Sequence, residues 1–226
     1  SESKNKLLKT KNDLFEIKTT NKFTANNEEE LRTNRLIMKA QLQDLVSNIN
    51  SDSTKTANPS DSFRDKFNLF KIKMGKCDSQ IYGNNKDKKS TLTEYIATRW
   101  YRPPEVLLEW DTYDKSLDVW SIGCIFAELL DRKPLFPGKE SSEQIELILS
   151  ILGTPKIEDI YKEGRSNSRE LIYKYGKLER VPWKEMFPNA PDDALDLLDK
   201  MLKFDPDKRI TVEQAMKHKY FDDLPM

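Results

Sequence analysis

The chain has few of the residues that build a nucleotide-binding loop, a disulfide scaffold or a membrane span. It has only seven glycines, and no two of them lie within one helical turn, so no G-x-G loop could cradle nucleotide phosphates. Cys77 and Cys124 are too few for a disulfide framework, which favours a reducing intracellular compartment. No apolar run approaches the ~18 residues of a membrane span, and the polar, lysine-rich start is not a secretory signal. Basic and acidic residues both number 38, so net charge indicates neither a nucleic-acid nor a membrane partner.

Residues 1–90 are rich in Lys, Asn, Ser and Thr and poor in apolar side chains. Such a stretch buries too little apolar surface to offset the ~1–2 kcal/mol per residue that backbone ordering costs, so we expect most of it to be disordered. The exception is residues 27–49, where Leu31, Met38 and Leu45 recur every seven residues behind an acidic first turn. This pattern predicts either a short coiled-coil or docking helix or, as the composition favours, a solvated helix that forms only transiently.

A short stretch from residue 91 to residue 105 reads T-L-T-E-Y-I-A-T-R-W-Y-R-P-P-E. The hydroxyls of Thr93 and Tyr95 flank a glutamate, and Arg99 and Arg102 follow closely. A phosphate on either hydroxyl would add roughly −1.5 to −2 charges and three acceptor oxygens, which an arginine fork is shaped to bind. The stretch resembles the activation segment of mitogen-activated protein (MAP) kinases, of the type activated by phosphorylation at Thr-Glu-Tyr.

The apolar residues from Tyr113 to Leu130 cover nearly every side of one helix, which predicts a buried helix. Ser116 is a suitable cap, and Asp118 places an anion in the first turn. The run D-V-W-S-I-G-C-I-F-A-E-L-L, residues 118–130, is also similar to the central helix of the kinase C-terminal lobe. By that resemblance Asp118 would anchor the backbone of the catalytic loop, and Trp120 would have a structural role.

Three later patterns complete the prediction. The spacings Ser141-x-x-Gln144 and Thr211-x-x-Gln214 predict capping boxes at the starts of two helices. Residues 156–190 read as a long irregular segment, similar to the insert that distinguishes MAP kinases and cyclin-dependent kinases. Arg209 is either an exposed loop cation or, by resemblance, the buried partner of Glu105, in a pair whose loss typically costs ~3–5 kcal/mol.

The resemblance covers about residues 91–226 and implies the fold. We expect a mainly α structure, the helical C-terminal lobe of the protein-kinase-like (α+β) fold, with activation segment, central helix, insert and C-terminal helices in residues 91–226. A largely disordered region, residues 1–90, would precede it.

The resemblance also implies a proline-directed serine/threonine kinase that uses ATP and Mg²⁺ and works in the cytoplasm, the nucleus or both. Thr93 and Tyr95 would be phosphorylated by an upstream dual-specificity kinase. Arg99 and Arg102 would hold the phosphotyrosine and shape the pocket for the substrate proline, while Thr98 would lie beside the catalytic aspartate. The expected partners are that upstream kinase, proteins with Ser/Thr-Pro sites, and phosphatases or scaffolds.

The catalytic groups of such a kinase are not recognisable in the chain. His218 is the only histidine, so an H-R-D loop is absent. Asp78 is a candidate for the metal-binding aspartate, but Ser79 and Gln80 replace the Phe and Gly of D-F-G, and an incidental acid in a polar loop fits equally well. Two hypotheses follow: an incomplete copy of a MAP-kinase-like enzyme that does not catalyse by itself, or a non-catalytic, pseudokinase-like module that binds kinases or their substrates.

Overall fold

The computed structural model describes residues 28–51, 99–108, 110, 114–160, 170, 172–222 and 224. Within these ranges every regular element is a helix and none is a strand, so the mainly helical fold class predicted from the sequence is confirmed there. The elements are α1 (Glu28–Ser51), α2 (Pro104–Leu107), α3 (Ser116–Asp131), α4 (Ser141–Leu152), α5 (Ile157–Ile160), α6 (Trp183–Met186), α7 (Asp192–Met201) and α8 (Val212–Met216), with 3-10 turns at Pro206–Lys208 and Lys219–Phe221. None of the helices in these ranges is long and apolar enough to cross a membrane.

Helix α3 lies in the centre of the apolar core, as its all-round apolar sequence predicts. Trp120 and Phe126 are fully buried. The Trp120 ring stacks on Phe136 with centroids 5.9 Å apart, and Phe126 packs against Tyr220 at 5.1 Å. Burying such a side chain fully contributes roughly 1.5–3 kcal/mol, so these two aromatic pairs are major contributors to the stability of the lobe.

The helix starts agree only in part with the sequence prediction. Ser116 is the first residue of α3 rather than its cap, and its N–H donates to Asp114 Oδ1 at 2.8 Å. The prediction was wrong because Asp114 and Ser116 are equally good acceptors for a free helical N–H, and the sequence does not tell which of them is in reach. At α8 the predicted capping box is present: Thr211 Oγ1 accepts from the Gln214 N–H at 3.2 Å, and Gln214 Oε1 accepts from the Thr211 N–H at 3.0 Å.

The described part of the 156–190 segment contains α5 and α6 and returns along the end of α4. Thr154 N–H donates to the Leu178 carbonyl at 3.0 Å, and Val181 N–H donates to the Ile151 carbonyl at 2.9 Å. Gly153 lies between the end of α4 and this segment and has a φ of +79°. A Cβ on Gly153 would lie 2.9 Å from the Arg180 main-chain nitrogen. Glycine is needed at this position because the backbone is in the left-handed region and the returning chain is close.

Helix α1 packs one face against α3, α8 and the turn Lys219–Phe221. Met38 and Leu42 are fully buried, and Leu45 nearly so. The composition favoured a solvated helix, whereas the docked alternative is the one observed. The reason is tertiary: the lobe supplies an apolar surface that the sequence of α1 does not reveal. The other residues of the predicted disordered region lie outside the described ranges.

Candidate functional site

Residues 99–105, the end of the predicted activation segment, lie along the helical lobe. Arg99, Tyr101 and Glu105 are buried, whereas Trp100 and Arg102 are partly exposed. This strip, as we call residues 99–105, ends by entering helix α2. The first residue of α2 is a proline, which fits there because the first N–H of a helix has no partner within the helix. The strip is thus part of the packed surface of the lobe.

Glu105, the last residue of the strip, forms a bidentate ion pair with Arg209. The Nη1–Oε1 and Nη2–Oε2 distances are both 2.5 Å, and the Arg209 and Glu105 side chains are 0% and 1% exposed. Two parallel charge-assisted bonds fix both distance and orientation. The sequence left two roles open for Arg209, an exposed loop cation or the buried partner of Glu105. The structure shows the buried pair.

All five N–H donors of Arg209 have acceptors, which explains how its charge can be buried. Besides the two carboxylate oxygens, the guanidinium donates to three main-chain carbonyls: Lys203 at 2.9 Å, Ser116 at 3.1 Å and Phe204 at 3.2 Å. It also lies over the Trp120 ring, 5.0 Å from the centroid, at a distance suited to a cation–π contact. Arg209 therefore joins the strip, the start of α3 and the chain after α7.

The middle of the strip is held by Gln144, whose side chain is fully buried. Gln144 Nε2 donates to the Trp100 carbonyl at 3.2 Å, and Gln144 Oε1 accepts from the Gly138 N–H at 3.0 Å. The Trp100 indole N–H in turn donates to the Gly138 carbonyl at 3.0 Å. A Cβ on Gly138 would lie 2.5 Å from Gln144 Oε1, so glycine is required for this close approach.

Arg99 and Tyr101 add bonds from the strip to the lobe. The Arg99 guanidinium donates to the Lys139 carbonyl. The Tyr101 hydroxyl donates to Glu128 Oε2 at 2.5 Å, and the Tyr101 carbonyl accepts from the Ser121 hydroxyl at 2.9 Å. Because Ser121 and Glu128 are two turns apart on α3, the strip is aligned along that helix.

The structure describes some of the predicted site residues. Arg99 and Arg102 are adjacent in a turn, in which the Arg102 N–H donates to the Arg99 carbonyl at 3.0 Å. Asp118 is partly exposed in the first turn of α3, and Trp120 is in the core. Four other predicted residues lie outside the described ranges: Asp78, Thr93, Tyr95 and Thr98.

The sequence interpretation missed the role of Gln144 and Gly138. It assigned Gln144 to a capping box with Ser141, but the N-cap of α4 is Glu140, and no side chain caps it there. A Gln three residues after Ser141 has the same spacing whether it forms a capping box or bonds to a distant segment. The spacing alone could therefore not distinguish these two roles of Gln144. The other sequence signal was Gly138, which follows Pro137, because a glycine can mark the close approach of another segment.

Among the described residues, the site consists of hydrogen-bonding and ion-pairing groups. Cys124 on α3 is buried, and burial raises the pKa of its thiol well above the usual value despite the nearby positive charge of Arg209. Within the described ranges, no three His, Cys, Asp or Glu residues are grouped so that they could bind a metal ion.

Comparisons with known proteins match the part of the chain that contains this site. The family model of the protein kinase domain matches residues 79–221. The chain is 53% identical over 133 residues to "Extracellular signal-regulated kinase 1" of Dictyostelium discoideum, covering 59% of this chain and 25% of that protein. It is 50% identical over 139 residues to a "Mitogen-activated protein kinase" of Fusarium vanettenii, covering 62% of this chain and 39% of that protein.

A third relative is "Mitogen-activated protein kinase spk1" of Schizosaccharomyces pombe, 51% identical over 129 residues that make up 57% of this chain and 35% of that protein. The matched part thus spans between a quarter and two fifths of the length of these relatives. The domain match covers more than half of the chain and includes the strip, the core helix α3 and Arg209. The chain therefore belongs to the protein kinase family and is a member of its MAP kinase branch.

Proposed function

We propose that the protein functions as a MAP-kinase-like serine/threonine kinase in intracellular signalling, transferring phosphate from ATP to Ser or Thr followed by proline. Residues 91–226 are its activation segment and helical lobe. Thr93 and Tyr95 receive phosphate from an upstream dual-specificity kinase, and Mg²⁺ accompanies ATP. Phosphatases or scaffolds, and substrates with Ser/Thr-Pro sites, are the other expected partners, in the cytoplasm, the nucleus or both.

The observation that carries this proposal is the fixed position of the strip. It is bonded to the lobe at Arg99, Trp100, Tyr101 and Glu105. Thr93 and Tyr95 precede Arg99 by only six and four residues. A phosphate on either hydroxyl would therefore be joined to a fixed strip that carries two guanidinium groups. Charge-assisted bonds from guanidinium to phosphate are among the strongest hydrogen bonds, so phosphorylation has a physical means of ordering the segment.

The 226 residues represent part of such a kinase. The family match begins at residue 79, and the chain contains neither a G-x-G loop nor an H-R-D triplet. Phosphoryl transfer depends on positioning ATP, Mg²⁺ and a base, so we expect this chain alone to bind Mg-ATP weakly or not at all. We interpret it as an incomplete copy of the enzyme.

The test of the proposal is a phosphotransfer assay on the longest product of the gene, treated with an upstream dual-specificity kinase. We expect Mg-ATP-dependent phosphorylation of a Ser-Pro peptide, and no phosphorylation when Ala replaces the Pro of that peptide. A longest product that encodes no G-x-G, H-R-D and D-F-G motifs, or that transfers no phosphate when activated, would contradict the kinase proposal.

The second candidate is a non-catalytic, pseudokinase-like module that binds kinases or their substrates. The observation that favours it is the packed apolar core that the lobe forms together with α1, because a folded lobe can present a binding surface. Calorimetry on the purified 226-residue chain measures binding to a MAP kinase or its substrate. Combined with the phosphotransfer assay above, it distinguishes the two functions. A folded chain that binds a MAP kinase or its substrate in the absence of nucleotide, from a gene whose longest product is inactive, would favour the module.

A further inference from the structure

The strip ends in two consecutive prolines, Pro103 and Pro104, and both are buried. The kinase signature at this place is A-P-E, so Pro103 stands where that signature has an alanine. Pro103 has extended backbone angles, with φ −75° and ψ 161°, and Pro104 is the first residue of α2. A proline ring fixes φ at about −65° and removes the N–H donor, so Pro103 has a conformation that its ring already favours.

The proline pair is compatible with the start of α2. The first N–H of a helix has no partner within that helix, so Pro104 gives up no helical bond at this position. The Pro103 carbonyl accepts from the N–H groups of Val106 and Leu107, each at 3.2 Å. The two prolines therefore fix the backbone at the point where the strip enters the helix.

The prolines also restrict the residues that precede them. Steric contact with a proline ring biases the preceding residue toward extended conformations, which applies to Arg102 before Pro103 and to Pro103 before Pro104. Three successive residues, 102–104, therefore have few conformations available. A proline that fits its native backbone stabilises the folded form chiefly because the chain has less conformational freedom to lose. Pro103 therefore favours the packed strip.

The contacts that hold the strip on either side of Pro103 come from the lobe itself. Before Pro103, the Gln144 side chain donates to the Trp100 carbonyl at 3.2 Å. After Pro103, Arg209 binds both carboxylate oxygens of Glu105 at 2.5 Å. Neither interaction involves a phosphate group. The strip is thus held at both ends by side chains that need no modification to make these bonds.

We propose that Pro103 is a positioning residue that presets the strip, so that the strip is formed before Thr93 or Tyr95 carries phosphate. This role rests on the proposed kinase function, in which Arg99 and Arg102 shape the pocket for the substrate proline. That pocket is then preformed, and phosphate is not needed to shape it. Phosphorylation acts instead through the residues that precede the strip.

Hydrogen exchange on the unphosphorylated 226-residue chain tests whether the strip is preformed. The Arg102 amide donates to the Arg99 carbonyl at 3.0 Å. It should exchange roughly a hundredfold or more slowly than the same amide in an unstructured peptide. Exchange at the peptide rate, with the amides of α3 protected, would overturn the proposal. The readout needs no catalysis, so a failed phosphotransfer assay on the longest gene product contradicts the proposed function and leaves this result standing.

A pair of substitutions isolates the role of Pro103. Pro103→Ala restores the alanine of the kinase signature. Pro191→Ala is the matched control, because Pro191 also precedes a helix, α7, and has extended angles of φ −60° and ψ 149°. Both substitutions release a proline constraint of the same kind, so both should lower the thermal midpoint of the chain by roughly 1–4 °C.

The two variants should differ in the strip. Only Pro103→Ala should speed exchange of the Arg102 amide relative to the amides of α3, by roughly two- to fivefold. If Pro103→Ala does not fold, Pro103→Val keeps an apolar side chain of similar size and gives the same comparison. An Arg102 rate that stays constant relative to α3 when Pro103 is replaced, or that rises equally in Pro191→Ala, would show that Pro103 is a packed residue without a positioning role.

Discussion

Arg209 binds both carboxylate oxygens of Glu105, which lies 104 positions earlier in the chain, through two contacts of 2.5 Å. The pair joins the end of the strip, residues 99–105, to the chain that follows α7. Neither side chain is exposed to solvent, so separating the two would leave a buried charge without its partner. One buried side chain, Arg209, therefore binds the end of the strip and the main chain that follows α7.

The first prediction concerns this pair. Arg209→Ala and Glu105→Gln should each lower the free energy of unfolding by ~3–5 kcal/mol, because each leaves an unpaired buried charge. Arg209→Lys should also destabilise the protein, since a lysine cannot form the two parallel bonds. Urea unfolding followed by tryptophan fluorescence measures the change. Lys177→Ala is the control, because Lys177 and its partner Glu179 are both largely exposed and the variant should unfold like the original chain. Arg209→Ala unfolding like Lys177→Ala would contradict the expected role of the pair.

The second prediction concerns the contact between Gly138 and Gln144. Gly138→Ala should destabilise the protein by ~1–3 kcal/mol, because the new Cβ overlaps Gln144 Oε1 and forces the turn away from the strip. The Arg102 amide, which is bonded to the Arg99 carbonyl, should also exchange faster with solvent. Ser142→Ala, an exposed substitution on the same helix as Gln144, is the control and should change neither quantity. Unchanged stability and exchange in Gly138→Ala would show that Gln144 does not position the strip.

The third prediction concerns Asp199 of α7. Partial burial raises the pKa of this carboxyl, but the hydrogen bond from Lys203 and the charge of Arg180 outweigh it and hold the pKa below the usual value. Trp183 also donates its indole N–H to Asp199 Oδ1 at 3.0 Å. A carboxyl with a lowered pKa in the folded state stabilises the protein above its unfolded pKa of ~3.9, and this contribution is lost as the pH falls through the folded value.

Asp199→Asn should therefore be less stable than the original chain at pH 6, and the difference should shrink as the pH falls below 4. Urea unfolding at a series of pH values measures both curves. Asp192→Asn is the matched control, because Asp192 is 89% exposed and solvent screens its pair with Lys184. A constant difference between Asp199→Asn and the original chain from pH 6 to pH 2.5 would contradict the prediction.

The fourth prediction concerns Cys124. Burial raises the pKa of this thiol well above its usual value, and thiols react as thiolates. Iodoacetamide at pH 8 should therefore leave Cys124 unmodified in the folded protein and modify it readily in urea, as mass spectrometry of the peptide that contains it would show. Equal rates of modification in the two conditions would mean that α3 is not buried as described.

The sequence predicted the parts of the structure in which local pattern and tertiary contact agree. Helix α3 is apolar on every side, so its burial could be predicted, and the Thr211–Gln214 spacing identified a real capping box. Gln144 has the same spacing from Ser141 but bonds to a segment more than forty residues away, which local spacing cannot indicate. The docking of α1 depends on contacts with α3, α8 and the turn Lys219–Phe221, all of which come much later in the chain, and its own composition favoured a solvated helix. The pairing of Glu105 with Arg209 came from the family resemblance, since an arginine in a polar loop is usually exposed.

The most direct test of the proposed phosphorylation of Thr93 and Tyr95 is phosphosite mapping on the purified 226-residue chain after treatment with an upstream dual-specificity MAP kinase kinase and Mg-ATP. Thr91→Ala serves as the control, because Thr91 lies two residues before Thr93 and is the same residue type. We expect phosphate on both Thr93 and Tyr95, unchanged labelling in Thr91→Ala, and loss of one site each in Thr93→Ala and Tyr95→Phe. A folded chain that carries phosphate on neither Thr93 nor Tyr95, while a MAP kinase treated in parallel is phosphorylated, would contradict the assignment of this stretch as an activation segment.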